Sequence, residues 1–490
     1  MRRGVYLVVA LALLLSSGAN VPAAQATPHD RSALSPEAIS RVVEQSIGPT
    51  RLPGVAVVVV GSGRVLHSGG YGQDSRGTPI TGNTLFRIAS VSKAFTALAV
   101  QQLAVSGRLR LDDPVAARLP EFAPADSRAR RITIRQLLNH TSGLSDRTFP
   151  EATLPQPDSL REAVAALRTA ELATDPGARH DYHNPNYWVA ARLVEVVSGQ
   201  SFEQYLRQRI LGPLGMRSTV ALTNWKEPVP GLAEGYNRFL GFTVARPEPD
   251  RFVAGSAGLV SSADDLARWL LLNSGSGPAS VLSGAGLDEL HRPSAPADGR
   301  YRGRYALGWD VPEIPDGPRQ VSHSGSSFTG TAQVALLPGS GHAIAVLANS
   351  RMPLESDLEA IMTGLIALTQ GRAAPPAGPP AAFIADLVMI GLGFLMGLLG
   401  TLTIRRSRGW ARRRHGAPLW LTIFRLLMYL SPLAALLALP RLLEILTAGR
   451  SVTFQLVSHI WPTLLVTIAL AAVLGLLIIT TRALALRDAE

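Results

Sequence analysis

A serine and a lysine three residues apart are the first candidates for chemistry in this chain of 490 residues. The stretch "FRIASVSKAFTA" (86–97) contains Ser90 and Lys93, and Lys93 is one of only two lysines among 47 basic side chains. Apolar residues at helical spacing from Val91 onward predict an amphipathic helix beginning at Ser90, which would place the amine beside the hydroxyl. A lysine whose pKa is lowered by burial can take the proton of a serine nucleophile, whereas an arginine cannot.

Two further triplets carry side chains suited to hydrolysis. "PGARHDYHNPNYW" contains Tyr182 and Asn184; a tyrosine can relay a proton, and an asparagine amide can hold a substrate carbonyl. "QVSHSGSSFTG" places His323, Ser324 and Gly325 on a predicted strand. Each triplet is weak evidence by itself, and an S-x-x-K pair alone is as consistent with chance as with catalysis.

In this order, S-x-x-K, Y-x-N and [KH]-[ST]-G resemble the serine β-lactamase and penicillin-binding superfamily. Three stretches resemble its class C branch in amino-acid identity as well as in spacing: "FRIASVSKAFTA", "LLNHTSGL" and "GSAGLVSSADDLARW". That branch includes class C β-lactamases, D,D-carboxypeptidases, D-aminopeptidases and β-lactamase-like esterases. The resemblance covers about residues 35–370 and implies the β-lactamase/transpeptidase-like fold.

The resemblance also implies a role for each motif residue. Ser90 would be acylated by the substrate, and Lys93 and Tyr182 would share the proton transfers. Asn184 would orient the substrate amide, and the backbone N–H groups of Ser90 and Ser326 would bind the oxyanion. The third triplet would complete the substrate-binding side with His323, Ser324 and Gly325.

One residue departs from the class C β-lactamase pattern. Those enzymes carry a lysine where this chain has His323. A lysine there is a permanent cation that attracts a substrate carboxylate, whereas an imidazole is mostly neutral at pH 7 unless it is paired. We therefore expect peptide or ester hydrolysis more than efficient β-lactam hydrolysis.

The remaining polar clusters favour structural roles. His180 and His183 with Asp181 have a spacing that suits metal ligands, but no third convergent ligand is visible, so we expect no metal and no other cofactor. His140 is expected to brace a turn, and Asp264 to stand near the start of a helix. No G-x-S-x-G, Walker or dinucleotide-binding motif occurs in the sequence, which argues against those enzyme classes.

The apolar runs at the two ends of the chain predict export and membrane attachment. Residues 1–26 have the parts of a secretory signal cleaved after Ala26. Residues 371–382 have the composition of a Pro/Ala-rich linker. The region 383–490 then contains three runs long enough to span a bilayer, at about 383–404, 419–439 and 456–480. The arginine-rich stretch between the first two predicts a cytoplasmic loop, so the domain at 27–370 would lie outside the cell.

Charge and cysteine usage exclude several classes of function. The formal net charge is +11, but 11 arginines face four acidic residues after residue 382, so the rest of the chain is close to neutral. No basic surface for nucleic acid is therefore expected. The chain has no cysteine, which excludes disulfides, a thiol nucleophile and a thiolate metal site.

The predicted fold class is α+β. Alternating apolar patterns around Gly-rich turns at 54–72 and 331–350 predict two hairpins that share one antiparallel sheet flanked by helices. The helix-rich stretch between them would form a mainly helical subdomain.

The predicted function is that of a multi-pass membrane protein with an extracytoplasmic serine hydrolase domain. Its substrates would be amides or esters, with D-amino-acid peptides of cell-wall type first and β-lactams or short esters as alternatives. A non-catalytic sensor or binding module is a second hypothesis, because one span would suffice as an anchor and three are present. The oligomeric state stays open.

Overall fold

The computed structural model describes residues 34–296, 303–315, 317–352, 358–414, 416–447 and 450–488. The predicted signal segment 1–26 lies outside the described residues. Strands β1 to β13 are, in order, Gly54–Gly61, Arg64–Gly72, Phe86–Arg87, Val220–Ala221, Tyr236–Phe239, Phe242–Ala245, Leu259–Ser261, Gly303–Tyr305, Asp310–Pro312, Val321–Ser326, Thr331–Leu337, His342–Ala348 and Ser350–Arg351.

The α-helices of the described residues extend from the outer domain into the C-terminal apolar region. Helices α1 to α10 are Pro36–Thr50, Ser92–Val105, Ile134–Leu138, Leu160–Ala166, Pro185–Ser198, Phe202–Leu206, Gly212–Leu214, Ala263–Leu271, Gly284–Leu290 and Glu359–Thr369. Helices α11 to α16 are Ala381–Arg405, Ser407–Arg412, Leu419–Leu427, Ser431–Leu446, Phe454–Ile460 and Pro462–Arg487.

The main sheet joins the two ends of the outer domain. Its strand order is β2-β1-β12-β11-β10-β9-β8, and every neighbouring pair is antiparallel. The two predicted hairpins are β1–β2 and β11–β12, and they meet where β1 pairs with β12, with Val57 opposite Val346. The prediction of one antiparallel sheet shared by two distant hairpins is therefore confirmed.

Helices cover both faces of this sheet, and the pattern of β1 explains why. All eight residues of β1 are buried, as in strands packed on both sides. Because side chains alternate along a strand, Val55, Val57 and Val59 pack against α1 and α10. Ala56 and its alternating neighbours face the core shared with the helical subdomain. The predicted α+β architecture is confirmed in this respect too.

Helix α2 differs from its prediction. It begins at Ser92, after a 3₁₀ turn at Ala89–Val91, and its residues from Ser92 to Gln101 are all buried. The sequence pattern predicted an amphipathic helix with one exposed face. That was wrong because α2 lies in the core, where elements from distant parts of the chain, including α5 and α9, pack around it.

The C-terminal region contains three helical stretches long and apolar enough to cross a membrane: Ala381–Arg405, Leu419–Leu446 and Pro462–Arg487. The third stretch does not begin near Leu456 as predicted. Trp461 leaves helical geometry with φ −139° and ψ 65°, because Pro462 has no N–H to donate and disfavours helical geometry before it. The residues before this break form the separate short helix α15.

The apolar helices contact the outer domain through a buried carboxylate near the start of α11. Asp386 accepts hydrogen bonds from the backbone N–H of Leu240 (2.7 Å), the indole of Trp461 (3.1 Å) and the hydroxyl of Thr463. This carboxylate joins three chain segments: the β5–β6 turn, α11 and the start of α16. The ends of α11 and α16 on this side therefore lie against the outer domain.

Candidate active site

The predicted site residues surround one cleft of about 630 Å³. Lys93 lies behind the cleft wall and is fully buried, and Gly325 is buried in β10. The predicted residues that line the cleft are Ser90, Tyr182, Asn184, His323, Ser324 and Ser326.

The turn that carries Ser90 is held against strand β10. Ala89 has φ +44°, an uncommon conformation for a residue with a side chain. A Cβ at Gly325 would lie 2.1 Å from the carbonyl oxygen of Ile88 and 3.0 Å from the backbone nitrogen of Ser90. Only glycine therefore allows the strand to approach the serine this closely.

The Lys93 amine has three hydrogen-bonding neighbours. Its Nζ lies 3.2 Å from Ser90 Oγ, 2.9 Å from Asn184 Oδ1 and 2.8 Å from the carbonyl oxygen of Ser256. Burial lowers the pKa of Lys93 well below its usual value, and the nearby cation Arg450 lowers it further.

These neighbours can accept three hydrogen bonds from a charged amine, and they also fit a neutral amine, which is the form that burial favours. The amide and carbonyl oxygens only accept hydrogen bonds, so they take the two N–H bonds of an uncharged lysine. The remaining lone pair then faces Ser90, whose hydroxyl can donate. The arrangement can therefore accept the serine proton directly.

Tyr182 lies beside this pair. Its hydroxyl hydrogen-bonds with Ser90, and burial raises the pKa of Tyr182 well above its usual value, so the phenol keeps its proton at neutral pH. Lys93 Nζ lies 4.8 Å from the centre of its ring. A protonated phenol at this position can pass a proton between the serine, the lysine and a leaving group.

Asn184 links the lysine to an acidic residue. Its Nδ2 donates to Glu151 Oε1 (2.8 Å), and Glu151 Oε2 is paired with Arg251 at 2.7 Å. Glu151 is buried, and both Glu151 and Arg251 line the cleft. Neither residue was predicted from the sequence, because neither belongs to a motif and each lies far along the chain from Lys93.

His323 is held as a neutral imidazole. Its Nδ1 lies 2.7 Å from the carbonyl oxygen of Ser324, which can only accept, so Nδ1 carries the hydrogen. Its Nε2 then accepts from the hydroxyl of Tyr305 at 2.9 Å. Burial lowers the pKa of His323 to about 3. His323 therefore supplies no positive charge at neutral pH, and Tyr305 is a further site residue that no motif predicted.

The "LLNHTSGL" stretch supports the loop that contains Tyr182. His140 has φ +59°, and its Nδ1 accepts from the backbone N–H of His183 (3.2 Å) and from Asn186 Nδ2 (3.1 Å). Its ring lies 4.3 Å from that of Tyr182. His140 thus braces the turn beneath the tyrosine.

His183 makes a structural contact rather than the metal-ligand pair with His180 that the spacing of the two histidines would suit. Its Nδ1 lies 2.9 Å from Asp146 Oδ1. Within the part of the chain that the structure describes, no group of three or more metal-ligating side chains is present. The arrangement around His183 is therefore that of a buried loop histidine bonded to a carboxylate.

The "GSAGLVSS" stretch wraps around the start of α2. The carbonyl of Gly255 accepts from Thr96 Oγ1 at 2.6 Å, and that of Ser256 accepts from Lys93. Further along, the N–H of Leu259 donates to Ser92 Oγ at 2.9 Å. This stretch therefore fixes the helix that carries the lysine.

The cleft has one wall that no motif predicted. Thr447, Arg450, Ser451 and Leu456, which lie between the second and third apolar helices, also line it. The side chain of Arg450 is 38% exposed and is paired with Asp146 at 3.1 Å. The C-terminal region therefore contributes to the cleft as well as following the outer domain in the chain.

Comparison with known proteins agrees with this geometry. Residues 39–369 match the family model described as Beta-lactamase. The chain belongs to the beta-lactamase family. This family of serine hydrolases accounts for the resemblance in the motifs and for the fold of the outer domain, while the three apolar helices lie beyond the matched residues.

Individual relatives place this beta-lactamase-family chain near penicillin-binding proteins. It is 32% identical over 363 residues to penicillin-binding protein 4 of Amycolatopsis lactamdurans, covering 69% of this chain and 92% of that protein. It is 31% identical over 325 residues to protein flp of Staphylococcus aureus, covering 64% of this chain and only 63% of the length of flp.

A solved structure is similar over a comparable share of the chain. The octameric penicillin-binding protein homologue from Pyrococcus abyssi superposes with a TM-score of 0.59 at 27% sequence identity. The match covers 73% of this chain and 81% of that one.

Proposed function

We propose that this chain is a membrane-anchored, extracytoplasmic serine hydrolase that works through an acyl-enzyme on Ser90. The observation that carries the proposal is the environment of the Lys93 amine. The Nζ atom lies 3.2 Å from the Oγ atom of a half-buried serine in a cleft, and its two other neighbours accept hydrogen bonds. This arrangement suits a general base and a nucleophile.

The proposed acylation step begins when Ser90 Oγ attacks the carbonyl carbon of an amide or ester and its proton passes to the neutral Nζ of Lys93. The oxyanion would be stabilised by the backbone N–H groups of Ser90 and Ser326. The proton then moves through Tyr182 to the leaving nitrogen or oxygen as its bond to the acyl carbon breaks. Asn184 would orient the substrate amide.

Deacylation uses the same residues in reverse. Water attacks the acyl carbon while Lys93 and Tyr182 take its proton. The bond to Ser90 Oγ breaks, the serine regains a proton, and the acid product leaves. No cofactor is needed for either step, because the nucleophile and the base are both side chains.

The proposed substrates are peptides of D-amino acids or related amides and esters. The similarity to a penicillin-binding protein supports cell-wall-type peptides. The neutral state of His323 supports a lower efficiency toward β-lactams, because the third triplet offers no cation to their carboxylate. Other cations of the cleft, such as Arg251, are already paired with carboxylates.

The proposed topology follows from the three apolar helices and the arginines between the first two. The arginine-rich segment 405–414 would stay in the cytoplasm, which places the outer domain and the segment 447–461 together outside the cell. Arg450 and Ser458 contact the outer domain, and such contacts need both parts to lie on the same side of the membrane, which supports this topology.

The test is labelling of the full-length protein by a fluorescent penicillin and by a fluorophosphonate probe. We expect the wild-type chain to be labelled by both and Ser90→Ala by neither. Labelling that persists in the variant would refute the assignment of the nucleophile. Ser340→Ala, at a distant hairpin turn between β11 and β12, is the matched control and should label normally.

The second candidate, a non-catalytic sensor, is supported by the entry of the Arg450 segment into the cleft, since this couples the cleft to the membrane helices. Product release distinguishes the two functions. Repeated turnover of D-Ala peptides, short esters or β-lactams would support the enzyme, whereas one stable adduct per chain with every substrate would support the sensor.

A further inference from the structure

The segment between the second and third apolar helices lines the cleft. Thr447 comes one residue after the end of the second stretch at Leu446, and it already lines the cleft. Leu456, in the short helix that precedes Pro462, lines the same cleft. The cleft therefore lies within a few residues of the ends of two helices that are apolar enough to span a membrane.

Arg450 makes the most direct contact from this segment. Its guanidinium carbon lies 5.0 Å from the centre of the Tyr182 ring, and its Nη1 donates to the carbonyl oxygen of Tyr182 at 3.4 Å. The same ring lies 4.8 Å from Lys93 Nζ. The tyrosine that touches Ser90 thus has a basic side chain from α2 and another from the membrane region against it.

Asp146 fixes Arg450 in this position. Its Oδ2 accepts from Arg450 Nε at 3.1 Å and from the backbone N–H of Ser451 at 3.3 Å, while its Oδ1 bonds His183. Burial alone would raise the pKa of Asp146, but Arg450 and His183 bring it down to about 2. The carboxylate is therefore charged at neutral pH, and it ties the membrane segment to the residue that follows Tyr182.

Arg450 also lies in the electrostatic environment of the lysine. Among the charged groups that act on Lys93, it has the largest effect and lowers the pKa of the amine, as Arg251 also does, while Glu151 and Asp310 raise it. The other titratable groups around the amine are uncharged at neutral pH because burial shifts their pKa values: Tyr182, Tyr187, His140 and His323.

We propose that Arg450 is a positioning residue of the active site, held by the loop between the second and third membrane helices so that it fixes the ring of Tyr182 beside Ser90. The membrane region then completes the catalytic centre as well as anchoring it. This proposal rests on the serine hydrolase function proposed above.

The test uses the full-length protein in detergent and three variants. Arg450→Gln removes the charge, and Arg450→Lys keeps the charge but loses the planar fork of donors. Arg246→Gln is the matched control, because Arg246 also holds this loop, through the carbonyl of Ser458 at 3.2 Å, but does not contact Tyr182. The rate of fluorophosphonate labelling of Ser90 is measured from pH 6 to pH 10, together with kcat and KM for a short ester.

We expect Arg450→Gln to lower the labelling rate and kcat by about 10- to 100-fold, as small misplacements of catalytic groups do, with KM nearly unchanged. The acidic limb of its rate profile should move to higher pH, because loss of a nearby cation raises the pKa of the lysine that must be neutral. Arg450→Lys should restore the position of the limb and part of the rate. Arg246→Gln should match the wild type in both.

Two results would overturn the role of Arg450. One is a wild-type rate and profile for Arg450→Gln; the other is an equal loss in Arg450→Gln and Arg246→Gln with no movement of the limb, which would indicate loop docking alone. A wild-type chain that is not labelled at Ser90 would instead contradict the proposed function, and the role of Arg450 with it. Resistance to trypsin, compared across the variants, separates these effects from unfolding.

Discussion

At the scale of single residues, the decisive feature is the hydrogen-bonding pattern of one amine. A charged lysine donates three hydrogen bonds, and a neutral one donates two and accepts one. Around Lys93, the Asn184 and Ser256 oxygens must accept, so the Ser90 hydroxyl is the partner that can donate. Burial favours the neutral form of the amine. A neutral amine can accept the hydrogen bond that the Ser90 hydroxyl is able to donate.

The two lysines of the chain allow a matched comparison. Lys93→Arg should lower the rate of acylation by about 10²- to 10⁴-fold, because arginine keeps the charge but cannot act as a base. Lys226→Arg should leave the rate unchanged, since Lys226 is exposed and makes a surface ion pair with Asp250. Labelling rates with the fluorophosphonate measure both variants. Equal rates for Lys93→Arg and the wild type would contradict the role of the lysine as a base.

Two histidines with lowered pKa values predict a loss of stability in mild acid. Burial lowers the pKa of His291 to about 4 and that of His323 to about 3, while the unfolded chain binds these protons near pH 6.5. Their contribution is therefore fully present above pH 6.5 and is lost as the pH falls toward the folded-state values, by about 1.4 kcal/mol per pH unit for each group.

Thermal unfolding at pH 7, 6 and 5 measures this effect. The midpoint should fall with pH in the wild type, and it should fall less steeply in His291→Gln, a position outside the active-site cleft. The same midpoint at all three values of pH would show that these side chains take up protons as readily in the folded protein as in the unfolded chain, contrary to their lowered pKa values.

Motif residues and their supports differ in how far the sequence predicts them. Ser90 and Lys93 were found because a rare residue type stood at helical spacing from a nucleophile. Glu151, Tyr305 and Arg450 were not found, because the fold brings them from distant positions and each is a common residue type outside any motif. The sequence alone does not show which distant residues come into contact in the folded protein.

At the scale of elements, the close approach of β10 to the serine turn sets the geometry of the site. The strand can lie against the backbone of Ser90 only because residue 325 has no side chain. The turn itself is fixed by the positive φ of Ala89 and by the bond from Ile88 N–H to the carbonyl of Leu259. Strand and turn together carry the two backbone N–H groups proposed for the oxyanion.

Gly325→Ala tests this packing. A Cβ at this position must push the strand away from Ile88 and Ser90, so we expect acylation to fall by about 10²-fold or more, in the range found when an oxyanion donor is lost. Gly339→Ala is the control, because a Cβ there meets nothing within 4 Å. A fully active Gly325→Ala variant would contradict the claim that this approach matters.

Elements were predictable where the pattern depends on neighbours in the sequence. Both hairpins follow from the alternation of apolar residues and from their Gly-rich turns. The burial of α2 on all sides did not follow, because it depends on helices and strands that close around it from elsewhere. Pro462 is a local sequence signal that α15 and the third apolar helix are separate helices. A prediction based only on the length of an apolar run does not detect it.

At the scale of the whole molecule, the outer domain and the C-terminal helices form connected parts of one structure. Asp386 joins the β5–β6 turn to α11 and α16, and Arg450 joins the segment before α15 to the cleft. The family model matches residues 39–369 and so ends before the first apolar helix. The shared motifs therefore could not predict these contacts.

The absence of cysteine makes the topology easy to measure. Gln455→Cys, exposed on α15, should react with a membrane-impermeant maleimide in intact cells. Arg408→Cys, exposed in the arginine-rich segment between the first two apolar helices, should react only after the cells are permeabilised. The reverse labelling would place the cleft in the cytoplasm and contradict the proposed export.

The most direct test of an acyl-enzyme on Ser90 is to locate the acyl group. After brief treatment of the full-length protein with a slow ester or penicillin, trypsin should release the peptide 88–93, and fragmentation by mass spectrometry should place the added mass on Ser90. We expect this adduct in the wild type and its disappearance over time as product forms. An adduct on Ser92 or elsewhere, or product formation with no adduct at Ser90 in rapid-quench samples, would contradict the proposed mechanism.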